Sequence, residues 1–168
     1  LSNGRSGRNV HILLTGTASE RPLLQEIARG TSARTTILTE ATVGQLAALL
    51  RRCQLVLGVD SGPLHLAAAQ LTPTLRIFGP TDPRRYSAWD SVERHLVVTS
   101  NYCCAGCQAI PCGRLHFQPH ELAFHPCVQL VPEQQVLDAI ARHFPSLLAG
   151  TPVSTDCSPG RGEDNLML

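Results

Sequence analysis

Short runs of aliphatic and β-branched residues alternate with helical patterns between residue 10 and about residue 100. The apolar residues within each run are nearly continuous, which is typical of parallel strands buried on both faces. This rhythm predicts an α/β fold with one small, doubly wound parallel sheet and helices on both of its faces. The five expected strands are Val10–Gly16, Thr35–Thr39, Leu55–Asp60, Thr74–Gly79 and His95–Ser100.

Helical patterns lie between these strands and again near the end of the chain. The three inner helices are expected at Glu20–Arg29, Thr42–Cys53 and Pro63–Gln70. Ser19, Thr42 and Gly62 occupy the plausible N-cap positions. A further amphipathic helix is expected to begin at Pro132 and to end near Gly150.

The length of 168 residues favours one domain, which we place at residues 10–150. Hydrophobic residues make up 43% of the chain and charged residues 16%, as in an ordinary soluble globular protein. Residues 1–9 are polar and residues 151–168 are rich in Pro, Gly and Ser, so both segments are expected to be disordered. The chain begins without a Met or a signal-peptide core, and we therefore interpret it as a piece of a longer gene product.

Charge gives little support to a role on nucleic acid or on an acidic membrane. The 14 basic residues, all arginine, nearly balance the 13 acidic ones, and the net charge is +1. Apolar runs break well before the roughly 20 residues that a membrane-spanning helix needs. No membrane span and no nucleic-acid partner are expected.

Five of the seven cysteines lie in residues 101–131, a segment without periodicity that we expect to be an irregular loop. Cys104 and Cys107 have the spacing of a metal knuckle, and Cys112 and Cys127 could complete four thiolates for a structural zinc ion or iron–sulfur cluster. The second pair is not a close knuckle, which slightly favours the alternative of reduced or partly disulfide-bonded cysteines. Redox catalysis is the weakest of the three interpretations. Substitute ligands would be Cys103, His116, His120 and His125.

The most informative segment is the strand, tight turn and helix of residues 55–69. A helix that begins at the carboxyl edge of a parallel sheet offers unpaired N–H groups and a partial positive charge, which suits a phosphate. Gly62 would let an anion approach the backbone, Ser61 would add a hydroxyl, and His65 falls in the first helical turn. On spacing alone, a plain junction in which Asp60 and Ser61 only cap the helix is equally plausible.

These residues carry a resemblance to a known family. The segment DSGPLHLAAA at 60–69, followed by Pro73-Thr74 and by FGPTDP at 78–83, resembles the signature of glycosyltransferase family 9, the lipopolysaccharide heptosyltransferases. The segment LLTGTASER at 13–21 is similar to the strand, glycine turn and acidic helix start of that family. The resemblance covers roughly residues 10–145.

The resemblance implies a Rossmann-like domain, namely the C-terminal, donor-binding half of a GT-B enzyme. It implies that Ser61 and Gly62 bind the diphosphate of a nucleotide sugar, that Asp60 binds a sugar hydroxyl and that His65 lies beside the diphosphate. Glu20 would bind the ribose hydroxyls, although it could instead only complement the helix dipole. Cleft positions would be Gly16, Thr81 and Asp82, with simple turns as the alternative for residues 78–83.

For the intact enzyme, the resemblance implies inverting transfer of a sugar from ADP-heptose to a lipopolysaccharide core without a divalent ion. The catalytic base and a phosphate-neutralising lysine would lie outside this chain, which contains no lysine. The chain alone is therefore expected to bind donor weakly and to catalyse nothing. Its expected location is the cytoplasm, in peripheral contact with the inner face of the inner membrane.

Two other readings stay open at this point. The first is a stand-alone nucleotide-binding or metal-stabilised interaction module without catalysis. The second, weaker one is a nucleotide-sugar hydrolase or epimerase, for which Asp60, Asp82 and His65 would be the candidate catalytic groups.

Overall fold

The structure is a computed structural model that describes residues 10–79, 81–88, 91–100 and 126–149. The expected disordered ends at 1–9 and 151–168 and most of the cysteine loop lie outside these residues. The strands are β1 His11–Thr15, β2 Arg34–Leu38, β3 Val56–Val59, β4 Thr74–Phe78 and β5 His95–Thr99. The helices are α1 Arg21–Arg29, α2 Val43–Leu50, α3 Gly62–Ala69, α4 Pro83–Tyr86, α5 Pro126–Gln129, α6 Glu133–His143 and α7 Pro145–Ala149, with a 3-10 turn at Ala18–Glu20.

All five predicted strands are present, and every strand pair is parallel, which confirms the α/β class. The expectation of one five-stranded sheet is wrong for the described residues. They form a two-stranded sheet, β1-β2, and a three-stranded sheet in the order β3-β4-β5. Apolar runs determine where strands form but leave open which strand lies beside which, and no ladder joins β1 to β3 in the described part of the chain.

The expected burial of every strand on both faces is confirmed only in part. In the central strand β4, Ile77 alone is not fully buried. In contrast, Leu57 and Val59 of the edge strand β3 keep 49% and 51% of their surface exposed. An edge strand lacks a neighbour on one side, so a continuous apolar run does not by itself ensure burial.

The core that supports the candidate site is built on β4 and β5. Leu75, Leu96 and Val98 form a buried cluster with Ala139 of α6. Because successive strand residues point to opposite faces, Leu75 packs in this cluster while its neighbour Arg76 contacts α3. Alternate residues of β4 therefore contact different helices.

Helices α1 and α2 begin or end at residues other than those predicted. Thr42 is the N-cap of α2 as predicted, but the helix ends at Leu50 rather than Cys53. At the first helix, Thr17 and Glu20 close a capping box around a 3-10 turn, and α1 begins at Arg21. The predicted cap at Ser19 is therefore wrong, because a threonine and a glutamate three residues apart satisfy each other's backbone amides.

The C-terminal prediction needs two corrections. The single helix expected from Pro132 to near Gly150 is split into α6 and α7 at Phe144, because Pro145 disfavours helical geometry in the residue before it. Within the segment expected to be an irregular loop, Pro126–Gln129 forms the short helix α5. Proline is well tolerated at a first helical position, which is compatible with a helix beginning there.

Candidate functional site

The junction between β3 and α3 forms the centre of the candidate site. Ser61 is the N-cap of α3 and the helix begins at Gly62, one residue earlier than predicted, so Gly62 is the first helical residue and not the cap. The Ser61 hydroxyl donates to the carbonyl oxygen of Val59 at 3.0 Å and makes no capping bond to the helix. The turn is thus closed by a serine-to-backbone bond.

The first turn of α3 leaves one amide open. Pro63 has no N–H, and the amides of Leu64 and His65 both donate to the Ser61 carbonyl. Gly62 is the remaining first-turn amide, and a Cβ at Gly62 would meet no atom within 4 Å. In the first turn of α3, the Gly62 N–H is therefore the amide that is open to the anion predicted from the sequence.

Asp60, directly after β3, links the junction to two other elements. Its Oδ2 accepts a hydrogen bond from Thr81 Oγ1 at 3.3 Å. Its Oδ1 lies 3.3 Å from His65 Nε2 and 3.9 Å from Arg76 Nη1, yet it accepts no hydrogen bond in the structure. The Asp60 side chain is 14% exposed and that of His65 is 49% exposed. The structure therefore brings Asp60, His65 and Thr81 together.

Arg76 is the cation of this cluster, and its side chain is fully buried. Nη2 donates to the Leu64 carbonyl at 3.0 Å and Nη1 donates to the Tyr86 carbonyl at 3.2 Å. Nη1 also lies 3.4 Å from His65 Nδ1. Burial lowers the pKa of the Arg76 guanidinium, whereas the nearby Asp60 carboxylate acts in the opposite direction.

Arg76 is not among the site residues predicted from the sequence, because residues 74–79 have the pattern of an apolar strand. An arginine within such a strand nevertheless indicates a buried partner, either an anion or a carbonyl group. Gly58 pairs with Arg76 across β3 and β4, and a Cβ at Gly58 would lie 3.2 Å from Leu64 Cδ1, so the glycine lets α3 pack closely on the strand.

A cavity of about 450 Å³ adjoins this cluster between α3 and α4. Its lining includes three basic side chains, His65, Arg76 and Arg85, together with Tyr86 and the small residues Ala68 and Ala69. The volume falls within the range of small-molecule sites. The cationic lining favours an anionic occupant.

Glu20 and Gly16 form a second group at the carboxyl end of β1. Glu20 Oε2 accepts hydrogen bonds from the Thr17 amide and from the Thr17 hydroxyl, both at 2.7 Å, and these bonds lower the pKa of the Glu20 carboxyl. A Cβ at Gly16 would lie 3.0 Å from Glu20 Oε2, so the glycine permits the close approach. Among the described residues, no hydrogen bond or ion pair joins this group to Asp60.

Asp82 lies next to Thr81 and has local partners. It is the N-cap of α4, where its Oδ1 accepts from the Arg84 amide at 3.0 Å. Arg84 also forms an ion pair with Asp82 Oδ2 at 3.0 Å, and its hydrogen bonds lower the pKa of the Asp82 carboxyl. The described contacts of Asp82 are those of a helix start.

Of the predicted metal ligands, Cys104, Cys107 and Cys112 lie outside the described residues. Cys127 is half-buried at the start of α5, and its carbonyl accepts a hydrogen bond from Ser100. In the residues that the structure describes, no three His, Cys, Asp or Glu side chains are grouped as metal ligands.

Comparison with known proteins identifies the family. Residues 2–116 match glycosyltransferase family 9 (heptosyltransferase), and the chain belongs to this family. It is 36% identical over 88 residues to lipopolysaccharide heptosyltransferase 3 of Escherichia coli, a match that covers 50% of this chain and 26% of that protein. It is 34% identical over 106 residues to lipopolysaccharide heptosyltransferase 1 of Pseudomonas aeruginosa, covering 63% of this chain and 28% of that protein.

A solved structure shows the same fold. The glycosyl transferase family 9 crystal structure from Veillonella parvula aligns with a TM-score of 0.60 and 21% identity, covering 83% of this chain and 36% of that one. Each match to the two relatives named above spans about a quarter of the relative's length. No helix among the described residues is long and apolar enough to span a membrane.

Proposed function

We propose that residues 10–150 form the Rossmann-like, nucleotide-sugar-binding half of an inverting GT-B glycosyltransferase. The observation that carries the proposal is the open N-terminus of α3, where the Gly62 amide, His65 and Asp60 lie together at the carboxyl end of β3. Ligands of open parallel α/β sheets bind at this edge. The family membership supports the same reading.

The diphosphate of the donor would bind at the first turn of α3. The Gly62 N–H and the positive end of the helix dipole favour an anion there, and the half-exposed His65 can donate from the side. When an acceptor hydroxyl displaces the nucleoside diphosphate from the anomeric carbon, negative charge grows on the leaving group. Removing one preorganised donor to such a charge costs roughly 3–4 kcal/mol.

Two carboxylates would orient the rest of the donor. Asp60 Oδ1 is buried and accepts no hydrogen bond, which suits it to accept a hydroxyl of the donor sugar. Glu20 Oε2 already accepts two hydrogen bonds from Thr17, so Glu20 would accept the ribose hydroxyls through its other oxygen. We propose Gly16, Thr81 and Asp82 as neighbouring cleft positions.

ADP-heptose is the proposed donor and a lipopolysaccharide core the proposed acceptor, because the relatives are lipopolysaccharide heptosyltransferases. The catalytic base would come from a part of the enzyme outside this chain, at the inner face of the inner membrane. A structural zinc ion or iron–sulfur cluster held by Cys104, Cys107, Cys112 and Cys127 remains a prediction.

Calorimetric titration of the 168-residue chain with ADP, UDP and GDP tests the proposal. Saturable binding of one nucleotide, ADP above the others, is expected. His65→Ala and Glu20→Gln should each weaken it by about tenfold, since each removes a polar contact to the ligand. Glu20→Gln is chosen because glutamine can keep the capping box with Thr17.

Two exposed residues provide matched controls, His143→Ala on α6 and Glu26→Gln on α1. Both variants should bind the nucleotide as the parent chain does. Equal affinity in the parent chain, the two site variants and the two controls would contradict the proposal.

A further inference from the structure

The contact between Arg76 and His65 bears on which imidazole nitrogen carries the proton. Arg76 Nη1 lies 3.4 Å from His65 Nδ1, within hydrogen-bonding distance. A guanidinium nitrogen carries only donors, so Nδ1 must be the acceptor in this contact. If Nδ1 carried a proton, in the other tautomer or in the imidazolium cation, its N–H would point at the N–H of Arg76 Nη1.

We infer that Arg76 holds His65 as the Nε2–H tautomer and so makes Nε2 the atom that donates to a ligand phosphate. The first half of this inference concerns the free protein, and the second half rests on the proposed function. Arg76 acts through His65 and is a positioning residue.

The guanidinium is fixed well enough to impose this choice. The Arg76 side chain has no exposed surface, and the carbonyls of Leu64 and Tyr86 hold Nη2 and Nη1 from two different helices. The facing residue in the neighbouring strand is Gly58. With a packed side chain and two backbone acceptors, the guanidinium has little freedom to turn away from the imidazole.

The second nitrogen of His65 has surroundings that favour a proton. Nε2 lies 3.3 Å from Asp60 Oδ1, and a carboxylate only accepts hydrogen bonds. This oxygen nevertheless accepts no hydrogen bond in the structure, so the Nε2–H is beside the carboxylate without being aimed at it. It therefore remains available to a ligand. Among the described residues, Arg85 also faces this space, from across the cavity.

A defined tautomer matters for the proposed chemistry. If half of the imidazoles carried the proton on Nδ1, half would present a lone pair at Nε2 to an anionic phosphate. A lone pair repels an anion where an N–H would stabilise it. By excluding the Nδ1–H form, Arg76 would preorganise the donor before the nucleotide arrives.

Nitrogen NMR of the imidazole tests the first half directly on the 168-residue chain. The spectrum of ¹⁵N-histidine-labelled protein is recorded at a pH where imidazole is uncharged, and His65→Gln identifies the His65 signals. We expect Nε2 in the protonated, pyrrole-like range and Nδ1 at the limit of the unprotonated, pyridine-like range. Shifts averaged between the two ranges would overturn the inference.

Arg76→Met separates the effect of Arg76 from the intrinsic preference of histidine, with Arg85→Met as the control that removes a charge at the same cavity. Arg76→Met should move the His65 shifts toward an averaged mixture, and Arg85→Met should leave them unchanged. Unchanged shifts in a folded Arg76→Met variant would overturn the inference. If that variant does not fold, the parent spectrum still decides whether His65 is a single Nε2–H tautomer.

A titration with ADP tests the second half. Binding should move the His65 Nε2 signal, and Arg76→Met should weaken binding by about fivefold to tenfold relative to the parent chain. Binding of ADP that leaves the Nε2 signal in place would overturn the role as a phosphate donor. A single Nε2–H tautomer in a chain that binds no nucleotide would refute the proposed function and leave the tautomer assignment intact.

Discussion

Glu20 combines a structural role with a proposed binding role in one carboxylate. Oε2 closes the capping box with Thr17, whereas the proposed ribose contact uses the other oxygen. Substitution with alanine removes both roles. Substitution with glutamine keeps the geometry of the cap and removes the charge.

At this residue we predict that Glu20→Ala lowers the melting temperature of the chain more than Glu20→Gln does. Alanine leaves the Thr17 amide without its side-chain acceptor, whereas glutamine retains a carbonyl oxygen at the same place. Thermal unfolding followed by circular dichroism measures the difference. Equal melting temperatures for the two variants would show that the capping contact contributes nothing.

The pH dependence of Glu20 has a definite sign. Hydrogen bonds from Thr17 lower the pKa of the Glu20 carboxyl in the folded chain, so its contribution to stability is present above the unfolded pKa, about 4.3 for glutamate. The contribution is lost as the pH falls through the lower, folded pKa. The difference in melting temperature between the parent chain and Glu20→Ala should shrink in acid, and a difference that grows there would contradict this assignment.

The polar residues of the α3 junction could be predicted from the sequence because their chemistry is local. Asp60, Gly62 and His65 are close in sequence, and the strand–turn–helix pattern places them at one sheet edge. Arg76 and Thr81 join the site through the fold, from β4 and the segment after it. A single arginine in an apolar run does not reveal which partners will face it.

The end of helix α3 shows how a helix can stop without a glycine. Leu71 has a positive φ of 59°, its amide donates to the Ala68 carbonyl, and the Thr72 amide donates to the Ala67 carbonyl. These bonds form a Schellman motif, in which glycine is the usual residue at the left-handed position. Leu71 is also 66% exposed, so its side chain contributes little burial.

For this element we predict that Leu71→Gly raises the free energy of unfolding by up to about 1 kcal/mol, since glycine adopts the left-handed region without the cost that leucine carries. Leu71→Ala is the control, because it removes the exposed side chain and keeps the Cβ. Urea unfolding measures both variants. A glycine variant no more stable than the alanine variant would contradict the prediction.

Element boundaries could be predicted only where the cap chemistry is recognisable. Thr42 and Gln45 form the predicted kind of cap on α2, with reciprocal bonds between side chain and backbone. The break at Phe144 was missed because the apolar period continues across it, and the restriction comes from Pro145. The short helices α4 and α5 have too few residues to show a helical period.

At the scale of the molecule, the order of the strands was the least predictable feature. Each strand is specified by its own apolar run, whereas the pairing of β1 with β2, of β3 with β4 and of β4 with β5 depends on contacts distant in sequence. The chain also spans only about a quarter of the relatives named above. The side chains that the rest of such an enzyme would contribute to the site cannot be predicted from this sequence.

Helix α5 packs closely against Gly79, the residue that follows β4. A Cβ at Gly79 would lie 2.7 Å from Val128 Cγ2 of α5, closer than atoms can pack. Gly79→Ala should therefore lower the free energy of unfolding by about 1–3 kcal/mol, as overpacking does. Adding Val128→Ala should restore part of the loss, which a double-mutant cycle measures. Strictly additive effects would mean that the two residues do not meet.

The central claim is that a nucleoside diphosphate binds at the N-terminus of α3. Backbone amide shifts of the ¹⁵N-labelled 168-residue chain, followed while ADP is added, test it most directly. We predict that the largest changes fall on Gly62 and its neighbours from Asp60 to His65, with amides of α6 unaffected. Saturable binding whose changes lie on α6 and β5, and leave Gly62 in place, would contradict the account.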